Sequence, residues 1–370
     1  MQDTTKGQRT ASKSVQLADL KTLQVGTIRK MVLWTDSHLG ARQNSEQHNN
    51  DCLAYVDWLI QRIKQESASH IAFLGDFFEN RNAINVRTLD FAIEFCRRLN
   101  DLGIPIIFII GNHDLYHRAS RSVFSTTVLR EFKNIHLISE PTLINDNHIA
   151  VPFLFPHEYE MYAGIINSRK YVLGHFEFRN FVVTGATRTL DHGPDPLLFT
   201  GPDYIFSGHF HKRQFNKNII YIGNTFPTNF GDAGDTERGC CVHDLQENEI
   251  YFYNWEDAPL FFKCFLSEVL SGAVSSFPKG SRVRCIIDTE IGYTDVQLMK
   301  EEFVKAFELR EFSVQEDLNE KRSQLQNGLE FSTELDTSSL DTVVRQLILE
   351  GVQASGVISP NVLVQIYEEL

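Results

Sequence analysis

The 370-residue sequence lacks the features that would place it in a membrane or hold it together by sulfur. It has no run of 18 apolar residues, so no membrane-spanning helix is expected. Its six cysteines (Cys52, Cys96, Cys240, Cys241, Cys264 and Cys285) never fall in a C-x-x-C spacing. They read as reduced thiols filling a core in a reducing cytoplasm, not as a zinc knot or a disulfide framework. Residues 1–30 contain no apolar stretch of the signal-peptide kind. Base is also in short supply, with 35 Lys and Arg against 48 Asp and Glu, a net charge of −13. An acidic chain does not draw in a polyanion by its overall field, so a nucleic-acid ligand would need metals, a local basic face or a partner. The deficit is uneven. Residues 1–30 carry six bases against two acids, while residues 301–370 carry five bases against 14 acids.

What is present begins with organisation along the chain. Residues 1–30 are polar, and they are expected to be a disordered tail that folding does not need. A transit peptide and an electrostatic arm are the alternatives, and Met31 itself is a candidate start. Met31–Thr35, His70–Leu74 and Ile104–Ile110 read as short buried strands. Residues 49–66 and 84–101 between them have the spacing of amphipathic helices. The resulting βαβαβ order predicts a parallel sheet with its ligands at the carboxyl ends of the strands. Tyr171–Leu173 and Tyr204–Phe206 repeat the strand-then-histidine pattern. The stretch from about 148 to 255, with further β-prone runs at Phe181–Val183, Ile219–Ile222, Cys240–Val242 and Ile250–Tyr253, predicts a second sheet. A smaller α/β unit is expected over 256–312, with a strand at Arg282–Asp288 and a helix at Asp295–Phe307. A linker is expected over 313–340, then two amphipathic helices at 341–351 and 359–370. These helices can fold back on their own domain or dock on a partner.

Short polar motifs stand at the ends of these strands: Asp36-Ser37-His38, Gly75-Asp76, Gly111-Asn112-His113-Asp114, Gly174-His175 and Gly208-His209-Phe210-His211. Carboxylate, imidazole and amide oxygen together suit Mn²⁺, Fe²⁺ or Zn²⁺, not an all-oxygen calcium cage. One ion rarely needs more than four side chains, so seven candidate ligands predict two ions sharing one, an arrangement that cleaves phosphate esters. Asn112 can ligate through its amide oxygen, and His113 beside it can face the reacting phosphate. Asp114 is expected to orient the His113 ring. His48, His117, His136, His148, His157 and His243 have no such context and read as structural or surface residues.

This set of motifs resembles the calcineurin-like metallophosphoesterases. Within them, Gly174-His175-Phe176-Glu177, Ser207-Gly208-His209-Phe210-His211 and Tyr221-Ile222-Gly223-Asn224-Thr225 followed by Gly231-Asp232 are similar to DNA nuclease subunits of the SbcD type and of T-even-like phages. The resemblance implies a four-layer αββα sandwich over 31–255, a small α/β cap and C-terminal partner-binding helices over 341–370. It implies that Asp36, His38 and His211 hold one metal, and that Asn112, His175 and His209 hold the other. Asp76 would bridge them, and His113, with Asp114, would act on the leaving oxygen without being a ligand. Implied with this are Mn²⁺, a DNA substrate handled in recombination, repair and replication, an SMC-like ATPase partner, a homodimer and a cytoplasmic location (a host's, if phage-encoded). A protein phosphatase or small-substrate phosphodiesterase on the same core is the alternative. Glu79 stands where many relatives carry His or Asp.

Overall fold

The structure, a computed structural model, describes residues 15–183, 189–274, 276–289 and 291–316. The two predicted helices form because each has a cap and an apolar stripe. In Glu46–Gln65 the Ser45 hydroxyl accepts from the His48 N–H, and Cys52, Tyr55, Val56, Leu59 and Ile63 are buried along one side. In Val86–Asn100 the Asn85 side chain accepts from the N–H groups of Arg87 and Thr88, and Phe91, Phe95, Cys96 and Leu99 turn inward. Both stripes pack on one face of a six-stranded sheet, against Trp34, Ile71, Phe73, Ile106 and Phe108.

That sheet runs in the order Glu249–Asn254, Gly239–Asp244, Lys30–Trp34, His70–Phe73, Ile106–Ile109, Ile135–Ile138. The last four strands are parallel to one another, and Gly239–Asp244 is antiparallel to both its neighbours. A second, seven-stranded sheet has Tyr171–His175 and Tyr204–Gly208 side by side and parallel at its centre. The two sheets face each other across Met31, Leu33, Ala72, Ile107, Ile109, Ala150, Leu173, Phe206 and Ile220. The far side of the second sheet is covered by the helix Glu158–Asn167, through Tyr159, Ile165 and Ile166. The layers are therefore helix, sheet, sheet, helix. A three-stranded parallel sheet, Phe261–Phe265, Arg282–Ile287 and Glu311–Glu316, forms the smaller α/β unit with the helix Tyr293–Ala306. It has an apolar cluster of its own around Cys264, Leu266, Val283, Cys285 and Phe312.

Four expectations change. Residues 15–30 are not a tail: Lys21–Thr22 is an edge strand paired with Thr142–Leu143, Ile28 is buried, and Leu23 and Val25 pack between the sheets. Their apolar residues are too few for a local period, and only the edge of a distant sheet makes them a strand. Residues 1–14 lie outside the described residues. The second sheet does not extend to 255, because Gly239–Asp244 and Glu249–Asn254 return to the first. Instead of a strand at Phe181–Val183 there is a single bridge from Val182 to Thr189. The expected linker starts too early, since Glu311–Glu316 pairs with Arg282–Ile287. The proposed helices at 341–370 lie outside the described residues. All six cysteines are free and buried. Among the described residues no helix is long and apolar enough to cross a membrane.

Candidate metal centre

Every motif stands where a parallel strand ends. Asp36 and His38 follow Lys30–Trp34, Asp76 follows His70–Phe73, and Asn112 follows Ile106–Ile109, all in the first sheet. His175 closes Tyr171–His175, while His209 and His211 follow Tyr204–Gly208, in the second. Because the sheets are stacked, the two sets meet. His38 Nε2 lies 3.0 Å from His211 Nε2 and 3.7 Å from Asp36 Oδ1. Asn112 Oδ1 lies 3.0 Å from His175 Nε2 and 2.9 Å from His209 Nδ1. Asp76 Oδ2 stands between the groups, 3.3 Å from His175 Nε2 and 4.0 Å from His38 Nε2. Three sets of ligand atoms are thus compact enough for an ion, Asp36–His38–His211, Asp76–His175–His209 and a third, His38–Glu79–His113, that shares His38 with the first. All seven expected ligands are brought together.

The backbone is bent to do this. Asp36, His38, Asp76 and His209 have φ of 51°, 46°, 60° and 94°, a region non-glycine residues seldom enter. Gly75, at φ 108°, could carry no side chain, since a Cβ there would stand 2.5 Å from His175 Nδ1 and 2.8 Å from the Gly111 Cα. The glycine of Gly75-Asp76 is therefore demanded by the ligands packed around it.

The electrostatics of the site suit a cation. His175 Nδ1 donates to the Leu74 carbonyl at 2.7 Å, which turns the Nε2 lone pair toward the oxygens of Asn112 and Asp76. Lone pairs facing one another require a cation between them. In the metal-free protein a proton serves: burial opposes it, but the Asp76 carboxylate outweighs burial and lifts the His175 imidazole to about 9. Burial likewise opposes charge on His38, yet the nearby carboxylates of Asp36 and Glu79 push it well above the usual histidine range. Burial would raise Asp76, but the charge and hydrogen bond of His175 hold it well below the carboxylate range. His211 moves the other way: burial, then the charge on His38, lowers it to about 4. A set of two carboxylates, an amide oxygen and four imidazoles, in which Asn112, His209 and His211 are half-buried and the rest buried, fits divalent ions of the borderline class.

His113 sits beside these groups. Its Nδ1 lies 2.8 Å from the Glu79 carbonyl, its ring meets that of His38 edge-on at 4.9 Å, and its backbone N–H donates to Asp76 Oδ1. Asp114 does not do what was expected of it. Its buried carboxylate accepts the backbone N–H groups of Asp76, Phe77, Phe78 and Gly111, so it shapes the Asp76 loop and leaves the His113 ring to Glu79. Burial and the nearby Asp76 raise Asp114 to about 6. Glu79, which stands where many relatives carry His or Asp, has its carboxylate 2.8 Å from His38 Nδ1, and that pairing holds it down at about 2. Glu177, 3.6 Å from His209 Nε2, plays the corresponding part on the other side. It was visible in the sequence only as the residue two after His175.

Comparison with known proteins agrees with this geometry. Residues 30–213 match the model of the calcineurin-like phosphoesterase family. The chain is 28% identical over 224 residues to exonuclease subunit 1 of Enterobacteria phage T4, covering 59% of this chain and 65% of that one. It is 25% identical over 241 residues to the DNA double-strand break repair protein Mre11 of Methanococcus maripaludis, covering 60% of this chain and 62% of that one. The Mre11 of Sulfolobus acidocaldarius is 33% identical over 107 residues, or 29% of this chain and 28% of that protein. The chain thus spans less than two thirds of the length of each of these relatives.

Proposed function

Through residues 30–213 the chain belongs to the calcineurin-like phosphoesterase family, and from that premise we propose that it is a metal-dependent DNA nuclease subunit. The carrying observation is the meeting of Asn112 with His175 and His209, and of Asp36 and His38 with His211, with Asp76 Oδ2 3.3 Å from His175 Nε2 and 4.0 Å from His38 Nε2. Asp36, His38 and His211 would hold one ion, and Asn112, His175 and His209 the other. Divalent ions there, Mn²⁺ in this reading, supply Lewis acidity to the phosphate and to the attacking water. The protein's own part is position and proton supply. Glu79 O anchors His113 Nδ1, which leaves Nε2 to deliver a proton to the leaving oxygen. Asp114 keeps Asp76 in place through the backbone.

DNA as the substrate rests on the nucleases among the relatives and on charge. In a chain of net charge −13, Arg42, Lys263 and Arg284 line one cavity of about 370 Å³ together with Asn229 and Phe230. Part of that charge is engaged, since Arg42 pairs with Glu311 at 2.5 Å. A partner would supply the rest of the grip, and residues 341–370 are the segment proposed to bind an SMC-like ATPase. The test is cleavage of labelled single- and double-stranded DNA by the purified chain with Mn²⁺, beside p-nitrophenyl phosphate and a phosphopeptide. DNA cleavage that EDTA abolishes is expected. Turnover of the phosphopeptide with inert DNA would replace this reading by the phosphatase one.

A further inference from the structure

His211 belongs to the second sheet, but its metal partners Asp36 and His38 belong to the first. Something must hold that loop at the right distance across the gap. Arg238 lies just before Gly239–Asp244, the strand beside Lys30–Trp34, and is 1% exposed. Its Nη1 donates to the backbone carbonyl of His211 and, at 2.5 Å, to Asn224 Oδ1. Its Nη2 reaches Asp232 Oδ1 at 3.2 Å and Asp235 Oδ2 at 2.8 Å. The Asn224 N–H donates to the same His211 carbonyl at 3.0 Å, and Asp232 Oδ2 accepts the Thr228 N–H. The run Tyr221-Ile222-Gly223-Asn224-Thr225 and the later Gly231-Asp232 thereby meet at one guanidinium.

A buried ion pair is a weak source of net stability, because desolvation offsets most of its attraction. The informative part of this one is its direction: one of the four contacts ends on the main chain of a candidate ligand, and a second on Asn224, whose N–H meets the same carbonyl. Only guanidinium geometry offers two donors to that carbonyl and amide while two others face the carboxylates; an ammonium cannot reach both sides. Among the described hydrogen bonds, Arg238 touches no residue of the Asp76–His175–His209 group.

We propose that Arg238, backed by Asp232 and Asn224, is the positioning residue for one metal site only, the one made by Asp36, His38 and His211. The proposal rests on the two-ion reading above. It is tested on the full chain by titrating Mn²⁺ calorimetrically and counting bound metal by mass spectrometry. Arg238→Lys keeps a charge opposite Asp232 but loses the fork. One of two ions is expected to bind about 10–100-fold more weakly, and the other as before. On a His211→Ala background, which lacks that site, Arg238→Lys should add nothing. On a His209→Ala background it should weaken the ion that remains. Equal weakening of both ions, or an added loss on His211→Ala, overturns the proposal and leaves Arg238 a general structural residue. If Arg238→Lys does not fold, Asp235→Ala, which removes one of the four contacts, should show a smaller weakening at the same site; no change there also overturns it. A wild-type chain that binds fewer than two ions overturns both this and the two-ion reading. Two ions with no DNA cleavage overturns the nuclease reading alone.

Discussion

The space between the two sheets has histidines at both ends, and they behave oppositely. At the carboxyl ends of the strands, His38 and His175 are buried beside Asp36, Asp76 and Glu79, and those carboxylates push both imidazoles up. At the other end, His70, His148 and His243 are just as buried among Val25, Tyr171, Tyr204 and Phe206. There burial prevails: His148 falls to about 3 and His243 to about 4, and His70 is lowered too. Burial is the same in both places. What differs between these two sets is whether negative charge was buried along with the ring; His211, also at the metal end, is instead lowered by burial and by the charge on His38.

The sharpest way to break this comparison is to remove the carboxylate that stands between the two ligand groups. Asp76→Ala should lose metal and lower Mn²⁺-dependent DNA cleavage by on the order of 10³ or more. His148→Phe, at the other end, should leave cleavage within about twofold. Gel-based cleavage rates beside metal content read both, and activity surviving in Asp76→Ala would remove the basis for a shared metal centre.

Next in size is His113→Gln. It stands among the charged histidines without being expected to hold an ion. It should keep its metal content and lose roughly 10²–10⁴ in rate. Parallel loss of metal and rate would make His113 a ligand.

The apolar end is closed by the chain that precedes Met31, since His70 Nε2 lies 2.8 Å from the Val25 carbonyl. Removing residues 1–30 exposes that contact, the packing of Leu23 and Ile28, and an edge strand. Burial arithmetic for such side chains puts the loss at about 2–5 kcal/mol. A chain begun at Met31 should therefore melt several degrees below one begun at residue 15, by calorimetry. Equal melting temperatures would return residues 15–30 to the status of a tail.

The smallest effect is in pH. His148 and His243 are held neutral when folded, yet take up a proton near 6.5 when unfolded. Between about 6.5 and 4 the unfolded chain binds more protons, so stability falls with falling pH, by on the order of 1 kcal/mol per unit for each histidine. His243→Phe should flatten this slope in denaturant titrations at pH 5 and pH 7. An unchanged slope would mean that the fall comes from the carboxylates of the metal end.

Much of this was readable in the chain order. Apolar runs of strand length ending on polar motifs placed Asp36, Asp76, Asn112, His175 and His209 at strand ends, because a buried parallel strand has few alternatives. Asp114 was read wrongly because its sequence neighbour is His113, whereas its hydrogen-bond donors lie near Asp76, in the preceding strand-end loop. Arg238 gave no signal at all: a lone arginine in a loop is ordinarily solvated.

By itself the sequence determined the kinds of donor, their order and their places at the ends of strands, since local periodicity records which face is buried. Only the tertiary structure decided which donors come together, which histidines have their imidazoles pushed up, and that residues 15–30 belong to the fold. Those outcomes depend on contacts between residues far apart in the chain, such as Lys21 with Thr142, Asp76 with His175 and Arg238 with the carbonyl of His211. The electrostatic and packing energies that settle them vary with distance in space, which local sequence pattern does not record.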